Sequence, residues 1–414
     1  MENRFTDIGE IKKTPFFLFD ELRILDSVAS IRDALSRHWA NSVLSYSVKT
    51  NSLPCVLKVL ADSGVWAEVV SEDEYNLALS CGFRKGDFVC NGPAKSQRFI
   101  DCAIASGAVL HLDGMSEVQD FFSRVGDRAV NLGVRVNATE QDFSGEALSG
   151  KDSSRFGLSI RDGDFEELCK LLDRHKNVTL TSLHLHCNTK SRSKIGFSWL
   201  AKFFARIVRK YRLDTVNTFD IGGSFGHDFD FGAKRERRWP SWDEYFEEIA
   251  NVLSSEGFSS DELRLIIEPG SALISNAADY YATIVGKRIY DGIIMMQMDG
   301  SRIHIDPHFA RQLFQDVILV QGEDDGTEGE WTNVLCGSTC LEKDRVFLGE
   351  KGLKCTIGKR LMFAKTGAYT IGLSPCFFIN SIPDVWMRSA DGFIKCVSQS
   401  NGLRWNENFT DKER

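Results

Sequence analysis

Residues 43–51 read Val-Leu-Ser-Tyr-Ser-Val-Lys-Thr-Asn, a short apolar run that ends in a polar turn. An apolar run this short is typical of a buried strand. Residues 54–63 follow, with leucine and valine three and four positions apart, which predicts a helix. A buried strand followed by a helix that covers it is the repeating unit of parallel α/β folds.

The same unit recurs along most of the chain. The eight strand candidates are residues 43–46, 66–70, 88–90, 109–112, 132–136, 180–186, 218–221 and 263–267. Helical segments are predicted at residues 54–63, 72–81, 98–106, 115–124, 199–211 and 242–253. Eight strands that alternate with helices predict a closed (β/α)8 barrel. We assign this barrel to residues 30–278.

The sequence pattern changes after about residue 278. Residues 280–285, 292–297 and 345–348 resemble strands, and no long amphipathic helix separates them. A chain of 414 residues is also too long for a single core. The predicted fold class is therefore α/β, with a (β/α)8 barrel and a second, β-rich C-terminal domain over residues 279–414.

Composition excludes several classes of protein. The 43% hydrophobic and 26% charged content is that of a globular chain, and the net charge of −8 with scattered basic residues argues against nucleic acid as a partner. No run of about 18 apolar residues predicts a membrane span, and the acidic N-terminus does not resemble a signal peptide. Eleven cysteines in such a chain are expected to be free thiols, which favours the cytoplasm.

Polar and glycine-rich motifs follow the predicted strands. They are Lys49, the pair Glu68 and Ser71, Arg135, the segment His184-Leu-His186 with Thr189, Asp220-Ile-Gly-Gly-Ser224, and Glu268-Pro-Gly270. The carboxyl ends of barrel strands meet at one face, so these side chains are expected to converge. Gly222 and Gly223 would let backbone N–H groups close on an anion.

This ordered set resembles the fold type III pyridoxal-phosphate decarboxylases, the alanine-racemase-like family that includes diaminopimelate, ornithine and arginine decarboxylases. The resemblance spans residues 15–385 and is carried by Tyr46-Ser-Val-Lys-Thr-Asn51, Asp220-Ile-Gly-Gly223, Glu268-Pro-Gly270, Gly337-Ser-Thr-Cys340 and Thr366-Gly-Ala-Tyr369. It implies decarboxylation of an amino acid, basic or a specialised biosynthetic intermediate, to an amine and CO2. It also implies a homodimer with shared active sites, in which residues 1–29, including Pro15–Phe19, join the β-rich domain.

The resemblance assigns roles to individual residues. Lys49 would form a Schiff base with pyridoxal 5'-phosphate, and Glu268 would keep the pyridine nitrogen protonated. His186 would stack on the ring. The other residues that the resemblance places at the cofactor are Glu68, Ser71, Arg135, Thr189, Gly222, Gly223, Ser224, Gly270 and Tyr369. The family commonly has a third glycine where this chain has Ser224.

The region expected to bind substrate departs from the family. Cys340 would be lent by the partner subunit as a general acid, with Asp344 structural behind it, but Leu341 follows where an acid is usual and Glu342 comes one later. Ser271 stands where diaminopimelate decarboxylases have an arginine. Asp306 lies near the place of a second arginine.

These departures favour a substrate that ends in an amine, with Asp306, Glu342 and Tyr369 as its ligands. Meso-diaminopimelate would then be a poor substrate. The other interpretation of Asp306 is an ordinary turn residue before Pro307.

Three other functions stay open at this point: diaminopimelate decarboxylation for lysine biosynthesis, racemisation on the same cofactor, and a non-catalytic regulatory homologue. A metal site is not predicted, because Cys336 and Cys340 lack a second pair of soft ligands. The expected partners are therefore a small amino-acid substrate and a second copy of the chain, with no nucleic acid and no membrane.

Overall fold

The computed structural model describes residues 4–138, 154–187, 192–226, 239–314, 316–320, 329–374 and 382–398. Thr189 lies outside these residues. The chain divides into two compact units. The barrel unit contains the described residues of Leu25–Asp228 and Arg238–Leu273, and the β-rich unit contains those of Met1–Ile24 and Ile274–Arg414. The domain boundaries drawn from the sequence stay a prediction.

Eight parallel strands close into a barrel, which confirms the predicted (β/α)8 architecture. Two strands come before them, β1 (Arg4–Phe5) and β2 (Phe16–Asp20). The barrel strands are β3 (Ser42–Ser47), β4 (Trp66–Val69), β5 (Phe88–Cys90), β6 (Val109–Leu112), β7 (Val130–Arg135), β8 (Val178–His184), β9 (Thr218–Asp220) and β10 (Arg264–Ile267). They neighbour one another in chain order, and β10 closes the barrel by pairing with β3, with Ile266 opposite Val43.

Helices alternate with these strands. They are α1 (Glu21–His38), α2 (Pro54–Asp62), α3 (Glu72–Ser80), α4 (Gln97–Ser106), α5 (Met115–Arg124), α6 (Asp164–Arg174), α7 (Lys194–Tyr211), α8 (Trp242–Ser255) and the short α9 (Ser271–Ile274). Neither α1 nor α6 was among the predicted helices, and α7 begins at Lys194 rather than at residue 199. In α6 the buried apolar face is narrow, since Phe165 and Leu168 carry it among acidic residues.

The interior of the barrel is unusually polar. Ser45, Glu68, His111, Ser182 and Asp220 are all buried on its strands. Apolar packing lies instead between the strands and the helices, as in the stacked pair Phe204 and Phe219, whose ring centroids are 4.3 Å apart. Buried polar groups in proteins are usually hydrogen-bonded, so this polar interior makes the barrel the candidate location of a functional site.

The β-rich unit is built on a ten-stranded sheet. Its later strands are β11 (Ala278–Tyr290), β12 (Ile293–Met298), β13 (Val317–Leu319), β15 (Val334–Cys336), β16 (Arg345–Phe347), β18 (Arg360–Phe363), β19 (Asp384–Arg388) and β20 (Ile394–Ser398). A short helix, α10 (Arg302–Ile305), follows β12, and β14 (Glu330–Thr332) pairs with β17 (Leu353–Cys355) in a separate two-stranded sheet.

Strand β2 lies in the middle of this sheet. It pairs antiparallel with β11 and parallel with β19, and Phe16 stacks on Tyr281 with ring centroids 4.8 Å apart. Strands β1 and β2 therefore belong to the β-rich unit, whereas Leu25 and the residues after it belong to the barrel unit. Across the described part of the chain, no helix is long and apolar enough to cross a membrane.

Candidate active site

Lys49 lies in a tight turn directly after β3. Its Nζ donates to Ser47 Oγ at 2.7 Å and to Glu68 Oε2 at 2.5 Å. The Glu68 side chain is 2% exposed, whereas that of Lys49 is 43% exposed. The turn is closed by the Tyr46 hydroxyl, which donates to the carbonyl of Asn51 at 3.0 Å. A buried carboxylate therefore holds an amine that a ligand can reach.

Gly270, directly after Glu268 and Pro269, occupies a position with no room for a side chain. A Cβ at Gly270 would collide with the side chain of Thr50 in the lysine turn. The end of β10 and the turn after β3 are therefore in close contact, which fixes Lys49 relative to Glu268.

Glu268 and Asp220 form a buried pair of carboxyl groups at the ends of β10 and β9. Asp220 Oδ1 accepts from the backbone N–H of Gly222 at 2.9 Å, and Asp220 Oδ2 has no hydrogen-bond partner among the described residues. Burial raises the pKa of both groups, and the negative charges of Asp220 and Glu68 raise the pKa of Glu268 further. Burial and the neighbouring negative charges therefore favour the protonated form of these carboxyl groups.

The glycine-rich segment turns tightly against His186. Gly222 has φ 72° and Ser224 has φ 68°, so Ser224 occupies the left-handed region where the family commonly has glycine. The backbone N–H of Gly223 donates to His186 Nδ1 at 3.1 Å, and a Cβ at Gly222 would overlap the imidazole. Burial lowers the pKa of His186 to about 3, with help from Arg135 and Lys49, so its ring is neutral.

His184 is a buried polar side chain at the carboxyl end of β8, and the described residues do not satisfy its hydrogen-bonding groups. It is 3% exposed, and neither ring nitrogen has a hydrogen-bond partner within the described ranges. Its Nε2 lies 3.8 Å from Glu268 Oε2, and its ring centroid is 6.2 Å from that of His186. A buried polar group without a partner costs free energy unless a ligand or water satisfies it.

Two predicted cofactor residues have partners of their own. Arg135 ends β7, where its Nη1 lies 3.5 Å from Asp113 Oδ1 and its guanidinium covers the ring of Phe156 at 4.6 Å. Ser71 caps α3, accepting from the backbone N–H of Glu74 at 3.2 Å, which leaves its hydroxyl hydrogen to donate elsewhere. Both roles at the cofactor stay predictions.

Asn91 and His111 were missed in the sequence. Asn91 follows β5 and donates from Nδ2 to Glu268 Oε1 at 2.7 Å and to Glu68 Oε1 at 3.3 Å. Its Oδ1 lies 2.9 Å from His111 Nδ1. The signal for Asn91 was present, because it is a polar residue at a strand end like Lys49. His111 lies inside β6, where only its polarity in an apolar run distinguishes it.

His111, His184 and Asp220 also form a group of potential metal ligands, with one atom of each within 4.8 Å of the others. Both nitrogens of His111 are engaged, with Asn91 and with Ser182 Oγ at 2.7 Å. The expectation of no metal stays a prediction.

In the β-rich unit, the interpretation of Asp306 is corrected. Its carboxylate is fully buried, accepts from Arg302 Nε at 3.1 Å and Nη2 at 2.8 Å, and also accepts from the backbone N–H groups of Ala310 and Arg311, each at 3.0 Å. A saturated buried carboxylate is unsuited to a substrate ammonium. Arg302, four residues before Asp306, was not predicted to be its partner.

Asp344 fixes the segment that carries Cys340 through hydrogen bonds. This buried carboxylate accepts from Ser301 Oγ at 2.9 Å, from the backbone N–H of Arg302 at 2.8 Å and from that of Thr339 at 3.0 Å. These contacts support the expected structural role of Asp344, which stays a prediction. Cys340 itself is exposed.

Glu342 and Tyr369 also belong to the β-rich unit. The Glu342 side chain is 90% exposed and its Oε2 lies 2.5 Å from Arg345 Nη2. Tyr369 is half-buried and has φ 53°. Their predicted roles at the substrate stay predictions.

The chain matches the family model described as pyridoxal-dependent decarboxylase, pyridoxal binding domain, over residues 23–275. It is 24% identical over 412 residues to a probable chloroplastic diaminopimelate decarboxylase of Oryza sativa subsp. japonica, covering 98% of this chain and 80% of that protein. It is 23% identical over 401 residues to diaminopimelate decarboxylase of Staphylococcus aureus, covering 94% and 92%.

Solved structures share the fold. Diaminopimelate decarboxylase of M. jannaschii superposes with a TM-score of 0.85 at 18% identity, covering 99% of this chain and 94% of that one. Arginine decarboxylase of Paramecium bursaria Chlorella virus superposes with a TM-score of 0.73 at 17% identity, covering 92% and 97%.

Proposed function

The chain belongs to the pyridoxal-dependent decarboxylase family, and from that premise we propose which of its residues carry out the decarboxylation of an amino acid. The cofactor is pyridoxal 5'-phosphate. The reaction releases the α-carboxylate as CO2 and adds one proton to the α-carbon, giving an amine. The observation that carries the proposal is the contact of the accessible Lys49 amine with buried Glu68, which Asn91 connects to Glu268.

The residues at the barrel face fit the cofactor. Pyridoxal phosphate, when bound, acts as the electron sink for the charge left by the departing CO2. Lys49 would hold its aldehyde carbon, and Glu268 would hold a proton at its ring nitrogen. His186 would lie against the ring, and the backbone of Gly222 and Gly223 would face the phosphate. The unpartnered nitrogens of His184 beside Glu268 support this placement.

The other barrel residues complete this proposed arrangement. Arg135 is nearly buried and adds a positive charge on the side of Asp113. Ser224 and Ser71 each carry a hydroxyl near a strand end. Thr189, outside the described residues, would add a third, and Gly270 lets the end of β10 approach Thr50 in the lysine turn.

Lys49 would also handle protons. Its Nζ lies within hydrogen-bond reach of Ser47 and Glu68, which would hold the amine in place while it takes up or gives back a proton at the substrate. We propose that Cys340 of the partner subunit, with Lys49, delivers the proton to the α-carbon, and that Tyr369 contacts phosphate or substrate. A thiol in that position acts as a general acid when it lies within hydrogen-bond reach of the carbon.

We propose that the protein is a homodimer with shared sites. Exposed apolar side chains on the β-rich unit support this: Tyr290 is 75% exposed, and Ile289 and Trp331 are each 62% exposed. Clusters of this kind on a folded surface favour protein contact. We also propose a cytoplasmic location, which the ten free thiols among the described residues support.

Two substrate classes are to be separated. Ser271 still lacks the positive charge that would suit a distal carboxylate, which favours a substrate ending in an amine. The relatives named diaminopimelate decarboxylases favour diaminopimelate, and Asp306, neutralised by Arg302, no longer opposes it. We propose the amine-ended or specialised substrate first and diaminopimelate second. Glu342 remains the acid that we propose near the substrate.

The experiment is a screen of CO2 release by the purified protein with pyridoxal phosphate. Ornithine, lysine, arginine and meso-diaminopimelate are compared at equal concentration. Preference for an amine-ended substrate would support the first proposal, and efficient turnover of diaminopimelate would replace it with the second. Racemisation without CO2 release, or no turnover of any amino acid, would contradict decarboxylation by this chain.

A further inference from the structure

Glu268 is held by an amide as well as by its own strand. Asn91 Nδ2 donates to Glu268 Oε1 at 2.7 Å and to Glu68 Oε1 at 3.3 Å. One amide group therefore connects the carboxylate proposed for the ring nitrogen with the carboxylate that binds Lys49. Because Nδ2 faces both carboxylates, the other amide atom, Oδ1, is an acceptor that points the opposite way.

The orientation of this amide determines the tautomer of His111. Asn91 Oδ1 lies 2.9 Å from His111 Nδ1, so the proton of the neutral ring must be on Nδ1. Nε2 then has a lone pair and accepts from Ser182 Oγ at 2.7 Å. Burial lowers the pKa of His111 to about 3, with contributions from Lys95 and Arg135, so the ring stays neutral at physiological pH.

The structure makes room for this histidine. Gly133 on β7 lies against it, and a Cβ there would overlap the His111 ring and the carbonyl of Leu110. Ser182 lines a cavity of about 340 Å³ among the residues at the amino ends of the barrel strands, including Asn41, Asn131 and Arg264. Donors thus run in one direction through the barrel core, from Ser182 to His111, to Asn91 and to the two carboxylates.

We propose that His111 is a positioning residue that acts through Asn91 on Glu268. A flipped Asn91 amide would set its oxygen against two carboxylates, and the Nδ1–H of His111 adds a donor that holds Oδ1 on the other side, so His111 reinforces one orientation of the amide. Oε1 of Glu268 is then occupied, and Oε2 is left for the ring nitrogen of the cofactor. The inference rests on the proposed function, since it assigns Glu268 to that nitrogen.

The test compares two substitutions of His111. His111→Asn keeps an N–H donor near the position of Nδ1, and His111→Leu removes it at similar size. Thr181→Val, the neighbouring residue on β8, is the control. For each protein, the apoenzyme is titrated with pyridoxal phosphate by absorbance, the bound cofactor spectrum is followed with pH, and Tm is measured.

We expect His111→Leu to raise the Kd for pyridoxal phosphate about tenfold, as for loss of one buried hydrogen bond. The pH at which the bound cofactor spectrum changes should shift, and kcat should fall while KM for the substrate stays within about twofold. His111→Asn and Thr181→Val should keep Kd within about threefold of the wild type.

A His111→Leu protein with a lower Tm but unchanged Kd and pH profile would overturn the proposal, because packing alone would then explain the residue. Equal losses in the Asn and Leu variants would also overturn it. If His111→Leu does not fold, Asn91→Asp decides, since it keeps the acceptor for His111 and removes the donor to Glu268; wild-type Kd in that protein would refute the inference.

Glu268→Gln separates this inference from the function on which it rests. If Glu268→Gln leaves Kd and the spectrum unchanged, the assignment of Glu268 to the ring nitrogen fails. If Glu268→Gln changes both and His111→Leu changes neither, only the role of His111 fails.

Discussion

Two networks of buried carboxylates, one in each unit, differ in how fully they are hydrogen-bonded. In the β-rich unit, both oxygens of Asp306 and of Asp344 accept from neighbouring backbone and side-chain donors. At the carboxyl ends of the barrel strands, Asp220 Oδ2 and both ring nitrogens of His184 have no hydrogen-bond partner in the described segments. The first network is complete within the protein, and the second is completed by a ligand.

The largest expected effect is on the barrel side. Lys49→Ala should lower turnover by about a thousandfold or more, because both the tether of the cofactor and a proton carrier are lost. The borohydride-reducible cofactor adduct on the protein should disappear, as seen by mass spectrometry. Lys58→Ala is the control, since that lysine is exposed and pairs with Asp62 on the surface of α2. A reducible adduct persisting in Lys49→Ala would disprove the assignment.

The second prediction tests whether Lys49 of one subunit and Cys340 of the other form one active site in a dimer. Lys49→Ala and Cys340→Ala proteins should each be nearly inactive. After subunit exchange, about a quarter of wild-type activity should return, because half of the dimers are mixed and each has one intact site. Native mass spectrometry reports the mixed dimers. Mixed dimers without activity would argue against a cysteine contributed by the partner.

The third prediction tests the hydrogen-bonded network of the β-rich unit by removing one of its carboxylates. Asp344→Ala leaves the buried donors of Ser301 and Thr339 unsatisfied and should lower the free energy of unfolding by about 3 kcal/mol. Glu342→Ala, exposed and two residues away, should change it by less than about 0.5 kcal/mol. Denaturant unfolding measures both, and equal stabilities would show that the Asp344 network is not structural.

The smallest effect concerns the pH dependence of the apoenzyme. Because the pKa of Glu268 is raised on folding, the folded state binds the proton that the unfolded state releases above its ordinary value of 4.5. Its contribution to stability is present below that value and is lost as pH rises towards neutrality, by up to about 1.4 kcal/mol per unit of pH. Glu268→Gln should remove this slope, so its Tm relative to wild type should rise from pH 5 to pH 7. A constant difference would contradict the raised pKa.

The sequence predicted the barrel well because strand ends and apolar runs are local signals. The eight strands lie within about two residues of their predicted positions, and Lys49, Glu268 and the glycine turn lie where the motifs indicated. Helix α6 was missed because its many charges hide a narrow apolar face.

Partnerships between side chains were harder to predict. Asp306 was interpreted as a ligand because its neighbour in space, Arg302, is apparent only once α10 and the following turn are formed. His111 lies on β6 and Asn91 lies at the end of the neighbouring strand β5, and no spacing in the sequence predicts their contact. A sequence shows which residues reach a strand end but not which hydrogen bonds they make there.

The position of β2 has a consequence for synthesis on the ribosome. Its aromatic residues, Phe16, Phe17 and Phe19, emerge before the barrel strands, but the side chain of Asp20 meets Arg388, 368 residues later. At about 5–20 residues per second, tens of seconds pass before that partner is made. During this time the barrel strands can pair with one another, while β2 still lacks β19, one of its two neighbours in the sheet.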